Sequence, residues 1–239
     1  MTDELRTHWE LHLLDEESVR LETERAQIPA ERQTHERRVA ASKRSLAQLD
    51  QRSEEAQLKR RSLERDLAAL DVQVRHFEHQ LESVTDQRQF EAVHHEIANV
   101  KAKRDGLETE ALERLEVEET CATERPALVA DLAKVESAWS EASALLDRRD
   151  ARLGARLAEL DAGRSRFASA LEGAARTRYD RLRSGRSGRA IAALIGNACG
   201  TCQSAQPPHA LQEARKRATL LMCEGCGRLL LLSPEDPAA

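Results

Sequence analysis

The chain has 239 residues, of which 33% are charged and only 3% are aromatic, and its formal net charge is −5. So few aromatic side chains exclude a broad globular core, and abundant Leu, Ala, Glu and Arg are typical of coiled coils. No apolar stretch approaches the length of a membrane span, and the first residues contain no apolar signal-peptide core. We therefore expect a mainly helical, cytoplasmic protein.

Apolar residues recur at alternating spacings of three and four in two long stretches of the chain. The first stretch runs from Val39 to Val84, and the second runs from Phe90 to Leu146. This heptad spacing places the apolar side chains on one face of each helix. We therefore predict two long helices that pair along an apolar seam.

The segment between the two stretches carries the signals of a turn. Asp86 is a residue type that caps helix N-termini, and Gln89 follows three residues later, as in a capping box. A turn near 85–89 makes the helices antiparallel, so that the numbers of facing residues total about 174. The sequence predicts a mainly α fold with a long antiparallel coiled-coil hairpin over residues 1–180.

Two prolines lie within the predicted helices. A proline inside a helix lacks the N–H for one backbone hydrogen bond and clashes with the preceding turn. We therefore expect a break near Pro29, so that residues 3–27 form a separate helical arm, and a kink or a local break near Pro126.

The cysteine and the histidines of these helices fit structural roles. Cys121 falls on the seam, where we expect a buried and unreactive thiol. His8 and His12 lie four residues apart on a predicted helix. Histidines scattered along such helices are typically surface residues, so we predict no second metal site there.

Four cysteines near the C-terminal end form two pairs with metal-ligand spacing. Two residues separate Cys199 from Cys202 and Cys223 from Cys226, and twenty residues separate the pairs. Structural Zn²⁺ sites hold four thiolates in a tetrahedron, and the two-residue spacing lets one tight turn present both sulfurs. We predict one structural Zn²⁺ in a small ribbon over residues 181–239, in preference to disulfides, redox chemistry or an iron–sulfur cluster.

The strands of this ribbon are predicted to form a β-hairpin around the second cysteine pair.

A zinc ion with four protein ligands has no open position for a substrate or a reactive water. The sequence also contains no P-loop, dinucleotide glycine motif, metalloprotease histidine motif or nucleophile elbow. We therefore predict that the protein is not an enzyme.

Basic residues cluster where the predicted hairpin meets the ribbon. From Ala174 onward the chain has ten basic and five acidic residues. Such a cluster can follow a phosphate backbone, although arginines at a helix C-terminus also complement the helix dipole. The candidate RNA- or DNA-binding residues are Arg176, Arg178, Arg181, Arg183, Arg186, Arg189, Arg215, Lys216 and Arg217.

Leucines at 220–221 and 229–232 crowd the predicted ribbon hairpin. Because alternate side chains of a strand face opposite ways, only one face of each strand packs inside the ribbon. The other face either packs on the helices or forms an apolar docking patch. Leu230 and Leu232 are the candidate partner-binding residues.

Several residues of the C-terminal region form a combined pattern. They are the stretch 179–183, Gly188, the stretch 199–202, Pro207, Pro208, Leu211 and the stretch 223–229. In this pattern the chain resembles the bacterial C4-type zinc ribbon domain proteins. The resemblance implies a coiled-coil hairpin followed by a zinc ribbon with the four cysteines as ligands. It also implies non-enzymatic adaptor roles linked to flagellar or type III secretion, to an alternative sigma factor, or to RNA binding.

Three functional hypotheses follow. The first is a zinc-binding, chaperone-like adaptor that binds a protein partner from the secretion or transcription machinery. The second is an RNA- or DNA-binding protein that uses the arginine-rich junction. The third is a purely structural spacer with no stable partner.

Overall fold

Two long helices make up most of the chain. The structure is a computed structural model and describes residues 2–216 and 220–233. Helix α1 spans Asp3–Ser83, helix α2 spans Gln87–Ser169, and a shorter helix α3 spans Gly173–Gly185. The predicted fold class is confirmed: a long antiparallel helical hairpin precedes a small C-terminal sheet. Among the described residues, no helix has the length and apolarity to cross a membrane.

The C-terminal region is a small mixed sheet with one helix. Its elements are β1 (Ile191–Ile195), β2 (Ala198–Cys199), α4 (Pro208–Arg215), β3 (Leu221–Met222) and β4 (Leu229–Leu232). The strand order is β2-β1-β4-β3, with β1 and β4 parallel and the other two pairs antiparallel. The predicted hairpin around the second cysteine pair is therefore formed by β3 and β4.

Three residues, 84–86, join α1 to α2. The Phe90 N–H donates to the Asp86 carbonyl at 2.9 Å, and the Arg88 N–H donates to the Asp86 carboxylate at 3.3 Å. Asp86 therefore caps α2, because its side chain satisfies an N–H that has no acceptor within the helix.

The chain divides into two compact units. One unit comprises residues 1–33 and 142–239, and the other comprises residues 34–141. Each unit thus contains a section of both long helices. The predicted domain boundary between residues 180 and 181 falls within α3 and stays a prediction.

In the unit 34–141, the helices face each other in the predicted register. His35 stacks on Trp139 with ring centroids 5.6 Å apart, and Arg125 donates to Asp50 at 2.8 Å. The numbers of these partners total 174 and 175. The buried seam residues of this unit are Leu49, Ala56, Leu63, Val74, Val93, Ile97, Val100 and Cys121.

Both prolines lie inside continuous helices, Pro29 in α1 and Pro126 in α2. The predicted breaks are therefore absent from these two helices, and residues 3–27 are not a separate arm. A proline removes one backbone hydrogen bond, whereas burial of an amphipathic face stabilises a helix over many turns. Next to Pro29, Ile28 is buried, and ion pairs from Arg25 and Arg32 tie α1 to α2.

Replacing Pro29 with alanine measures how strongly the proline opposes α1. Alanine restores the backbone N–H and removes the steric clash, so the free energy of unfolding should rise by up to about 3 kcal/mol. Urea denaturation followed by far-UV circular dichroism measures this change. Pro126→Ala is the matched variant in the unit 34–141 and should act in the same direction. A loss of stability in both variants would contradict the explanation.

Candidate metal centre

Each cysteine pair lies on a tight turn next to a strand. Cys199 is the last residue of β2, and Cys223 directly follows β3. The Gln203 N–H donates to the Cys199 carbonyl, and the Gly227 N–H donates to the Cys223 carbonyl, both at 2.8 Å. Gln203 and Gly227 have positive φ values of 62° and 70°. The two turns are therefore equivalent, and each folds back immediately after its second cysteine.

The four thiols converge on one point. All four Sγ atoms lie within 4.8 Å of one another. Two of these distances are 3.9 Å, between Cys199 and Cys226, and 3.6 Å, between Cys202 and Cys223. Four sulfurs at about 2.3 Å from a central zinc ion lie about 3.8 Å apart in a regular tetrahedron. The cluster therefore fits a single metal ion of this size.

Polar neighbours support negative charge on the sulfurs. The Ser204 hydroxyl lies 3.4 Å from Cys202 Sγ, and hydrogen bonding to the Ser204 side chain and backbone, and then to Cys223 and Cys226, lowers the pKa of the Cys202 thiol to about 6. The buried Gln206 donates from Nε2 to Cys223 Sγ at 3.4 Å. Burial, in contrast, raises the pKa of the Cys199 thiol to about 12. A nearby cation is therefore needed before all four sulfurs become thiolates at neutral pH.

Ser204 and Gln206 belong to no motif that the sequence reveals. Their only signal was their position, directly after the first cysteine pair. The Gln206 side chain also accepts the Glu224 N–H at 3.4 Å, so one amide joins both turns. This support depends on the tertiary contact between the turns, which residue spacing does not reveal.

Gly225 allows the two cysteine turns to meet closely. A Cβ atom at this position would lie 2.9 Å from the Ser204 Cβ. Real Cβ atoms do not approach each other so closely, so any larger residue would push the turns apart. The glycine of the second pair therefore helps to set the distance between the two halves of the cluster.

The sheet buries both of its faces. On one face, Leu230 packs with Cys199, Cys223 and Ala192. On the other face, a second cluster contains Leu5, Leu11, Tyr179, Ile191, Leu229 and Leu231. The leucines of β4 therefore pack mainly inside the protein.

This burial corrects the predicted docking patch. Leu230 is only 3% exposed, and Leu232 is partly buried. The reason is that one face of β4 packs on the cysteine cluster and the other packs on residues of α1 and α3. Sequence alternation left two outcomes open for the second face, and packing on the helices is the one found.

Beneath the sheet, α1 carries a buried carboxylate that holds α3. The Tyr179 hydroxyl donates to Asp15 Oδ2 at 2.9 Å, and Arg183 Nε donates to Asp15 Oδ1 at 3.1 Å. Asp15 is 1% exposed. Burial raises the pKa of the Asp15 carboxyl, while the bonds from Tyr179 and Arg183 lower it. Burial also raises the pKa of Tyr179, so the phenol remains a donor.

His8 and His12 are buried on the same part of α1, so the prediction of surface histidines was wrong. Burial lowers the pKa of His12. The His8 Nδ1 donates to the Glu4 carbonyl at 2.8 Å.

Among the described residues, the four cysteines are the only group of three or more His, Cys, Asp or Glu side chains arranged to hold a metal ion.

The candidate nucleic-acid-binding residues do not behave as one set. Arg183 is bonded to Asp15, and Arg189 Nε donates to Glu16 at 2.8 Å. These two arginines therefore hold the C-terminal region against α1.

The other members of the candidate set lie nearer to solvent. Arg176 is 3.8 Å from Asp180, and Lys216 pairs with Glu213 at 2.5 Å. Arg217 lies outside the described residues. The exposed members for which no ion pair is found within the described ranges are Arg178, Arg181, Arg186 and Arg215.

The Tyr179→Phe substitution tests the buried contact with Asp15. It removes one hydrogen bond to a buried carboxylate, so the free energy of unfolding should fall by about 1–3 kcal/mol. Urea denaturation measures the change. Ser184→Ala on α3 is a suitable control, because its exposed hydroxyl bonds only to the Arg181 carbonyl, and it should act within about 0.5 kcal/mol. Equal effects of the two variants would show that the buried bond contributes nothing.

Three solved structures share this fold. CT398 from Chlamydia trachomatis matches with a TM-score of 0.84 at 19% sequence identity, covering 97% of this chain and 98% of that chain. HP0958 from Helicobacter pylori matches with a TM-score of 0.66 at 15% identity, covering 97% and 98%. A Mycobacterium smegmatis protein matches with a TM-score of 0.57 at 20% identity, covering 98% and 100%.

The sequence itself places the chain in a family. No match was found among curated proteins. The model of the CT398-like coiled coil hairpin domain matches residues 11–187, which contain most of α1, all of α2 and α3, and none of the cysteine cluster. Because this match covers more than half of the residues, the chain belongs to the CT398-like coiled coil hairpin domain family.

Proposed function

We propose that this protein is a non-enzymatic adaptor whose ribbon folds around one structural Zn²⁺ and which binds a protein partner. The observation that carries the zinc assignment is the convergence of four thiols within 4.8 Å. Four protein ligands leave no coordination position for a substrate. The ion would therefore act on folding, by joining two turns that are far apart in sequence.

The donor set and its spacing favour zinc over other metals. Four thiolates in a tetrahedron suit zinc and iron centres. Sulfur atoms only 3.6 and 3.9 Å apart surround one ion closely, whereas several bridged irons would hold the thiols further apart. Between single ions, a given site generally binds Zn²⁺ more tightly than Fe²⁺. Free thiols that serve as ligands also suit a reducing compartment, which supports a cytoplasmic location.

Protein binding is supported by the surfaces that remain exposed. Leu58, Val72 and Leu112 are large apolar residues that lie mostly in solvent on the long helices. Helices bind other helices through such residues at helical spacing. The resemblance to C4-type zinc ribbon proteins adds the partner class, which is the secretion or transcription machinery.

Nucleic-acid binding is the second candidate function, and it depends on the exposed arginines of α3. Arg178, Arg181 and Arg186 make no ion pair with the described residues and can contact phosphates. Arg183 and Arg189, in contrast, are bonded to carboxylates of α1. The available basic surface is therefore smaller than the sequence suggested, which favours the protein partner.

Metal analysis tests the zinc assignment. Purified protein should contain about one zinc per chain, and Cys223→Ser should lose most of it, because three ligands bind more weakly than four. Stripping the metal with a chelator should remove hydrogen-exchange protection from the β1–β4 sheet. The helices of the unit 34–141 serve as the internal control and should keep their protection. Iron in place of zinc, or full protection after metal removal, would contradict the assignment.

Affinity purification from the native host, with and without nuclease, tests the partner class. We expect a stoichiometric protein partner that survives nuclease treatment and still binds the Arg178→Glu, Arg181→Glu, Arg186→Glu triple variant. The matched control carries the same charge changes at the exposed Arg37, Arg38 and Arg44.

The second candidate function predicts different results from the same variants. It predicts a mobility shift with RNA or DNA that weakens with salt and disappears only in the α3 variant. That outcome, together with loss of all protein partners on nuclease treatment, would replace the adaptor proposal.

A further inference from the structure

In the unit 34–141, the side of α1 that faces away from α2 exposes large apolar side chains. The seam residues Leu63 and Val74 of α1 are buried against α2. Leu58 and Val72 lie on the opposite side of the helix, and each is 58% exposed. They are 14 residues apart, which is two heptads, so they share one face.

Basic residues accompany these two apolar residues. We use the name outer stripe for the residues that recur at spacings of three and four on this face. They are Leu58, Arg61, Arg65, Ala68, Val72 and Arg75, and all six are exposed. A solvated helix face normally carries charges of both signs, but between Leu58 and Arg75 the outer stripe contains no acidic residue, and the same spacing reaches Glu54 and Glu82 only beyond its two ends. Leu58, Arg61, Arg65 and Ala68, together with Glu64, line a shallow groove.

The three arginines of the outer stripe are free to bind a partner. Every residue of the unit 34–141 is described, and none of its carboxylates forms an ion pair with Arg61, Arg65 or Arg75. The nearby Glu64 instead pairs with Arg60, and the Arg65 Nε donates to the Arg61 carbonyl at 3.3 Å. Arginines that face α2 behave differently, since Arg60 bonds to Glu118 at 2.8 Å.

The chemistry of the outer stripe specifies its ligand. Apolar residues at helical spacing fit the apolar face of another helix, and the small Ala68 lets the two backbones approach. Three unpaired arginines require carboxylates along the edges of that face. A phosphate backbone would satisfy the arginines but leave Leu58 and Val72 in water.

A second copy of the chain is a poorer match. The acidic complement on this protein lies on α2, around Leu112, which is 61% exposed beside Glu113 and Glu116. Only the reciprocal arrangement, with the outer stripe of each copy on α2 of the other, closes as a dimer. On α2 of the unit 34–141, Leu112 is the one large apolar residue as exposed as Leu58 and Val72, so α2 offers a shorter apolar face than the outer stripe.

We propose that the outer stripe of α1 binds an acidic amphipathic helix of a protein partner, which adds a third helix to the hairpin. This inference rests on the proposed adaptor function and locates its binding surface. The occupying helix places apolar residues on Leu58, Ala68 and Val72, and its flanking carboxylates pair with Arg61, Arg65 and Arg75.

Two synthetic peptides provide the test. Each has about 21 residues with leucine at the a and d heptad positions; one carries Glu at the flanking positions and the other carries Lys. In fluorescence anisotropy at low salt, the full-length protein should bind the Glu peptide at least tenfold more tightly than the Lys peptide. The L58S/V72S variant should weaken binding of the Glu peptide at least tenfold. The R61E/R65E variant should reverse the preference.

Leu145→Ser is the matched control, because Leu145 is equally exposed on α2, and it should leave peptide binding unchanged. Equal binding of the two peptides, or binding that L58S/V72S does not weaken, would overturn the proposal. Competition by homopolymeric RNA that depends on the arginines alone would also overturn the proposal. Sedimentation that shows wild-type chains associating through these residues would overturn it as well.

The native partner separates this inference from the adaptor function itself. If the partner captured from the host binds L58S/V72S as tightly as wild type, the outer stripe is the wrong surface, and the adaptor function stands. If the wild-type protein captures no protein partner, the adaptor function fails, whatever the peptides show.

Discussion

The register between α1 and α2 determines where the C-terminal region can fold. In the unit formed by residues 1–33 and 142–239, Arg25 donates to Asp150 at 2.7 Å and Arg156 donates to Glu17 at 2.9 Å. Exposed ion pairs of this kind contribute little stability, but they exclude other alignments. This register brings the first turns of α1 next to the end of α2. The platform for α3 and the sheet is formed there.

That platform explains the polar residues buried on α1. A helix that only faced α2 would have no reason to bury Asp15, His8 and His12. They are buried because α3 and the sheet cover them, and Asp15 is satisfied by Tyr179 and Arg183. The carboxylate therefore links a helix near the start of the chain to one that follows 164 residues later in the sequence. Such a bond stabilises one placement of α3 and destabilises others, because the Asp15 carboxylate would otherwise be buried without a partner.

Much of this arrangement could be predicted from the sequence. The heptad spacing indicated both helices, since it depends only on side-chain periodicity, and the turn predicted near 85–89 indicated their register. The two cysteine pairs indicated one cluster, because four thiols at this spacing have few other structural uses. Asp86 indicated the turn, because a cap is a local interaction.

The errors concern interactions between distant parts of the chain. Pro29 was expected to break α1, but packing on both sides of it maintains the helix. His8 and His12 read as surface residues because nothing in α1 itself reveals the sheet above them. Leu230 was a candidate docking residue because the alternation of β4 does not reveal that this leucine packs on the cysteine cluster. In each case tertiary packing outweighed a local signal.

These corrections also change where a partner can bind. The leucines of β4 pack mainly inside the protein, and two of the junction arginines, Arg183 and Arg189, bond to carboxylates of α1, so these side chains are not available to an external ligand. In the unit 34–141, the exposed residues of α1 on the side remote from the seam have no such internal role. Under the proposed adaptor function, recognition therefore falls to the long helices, where the outer stripe combines unpaired arginines with the exposed Leu58 and Val72.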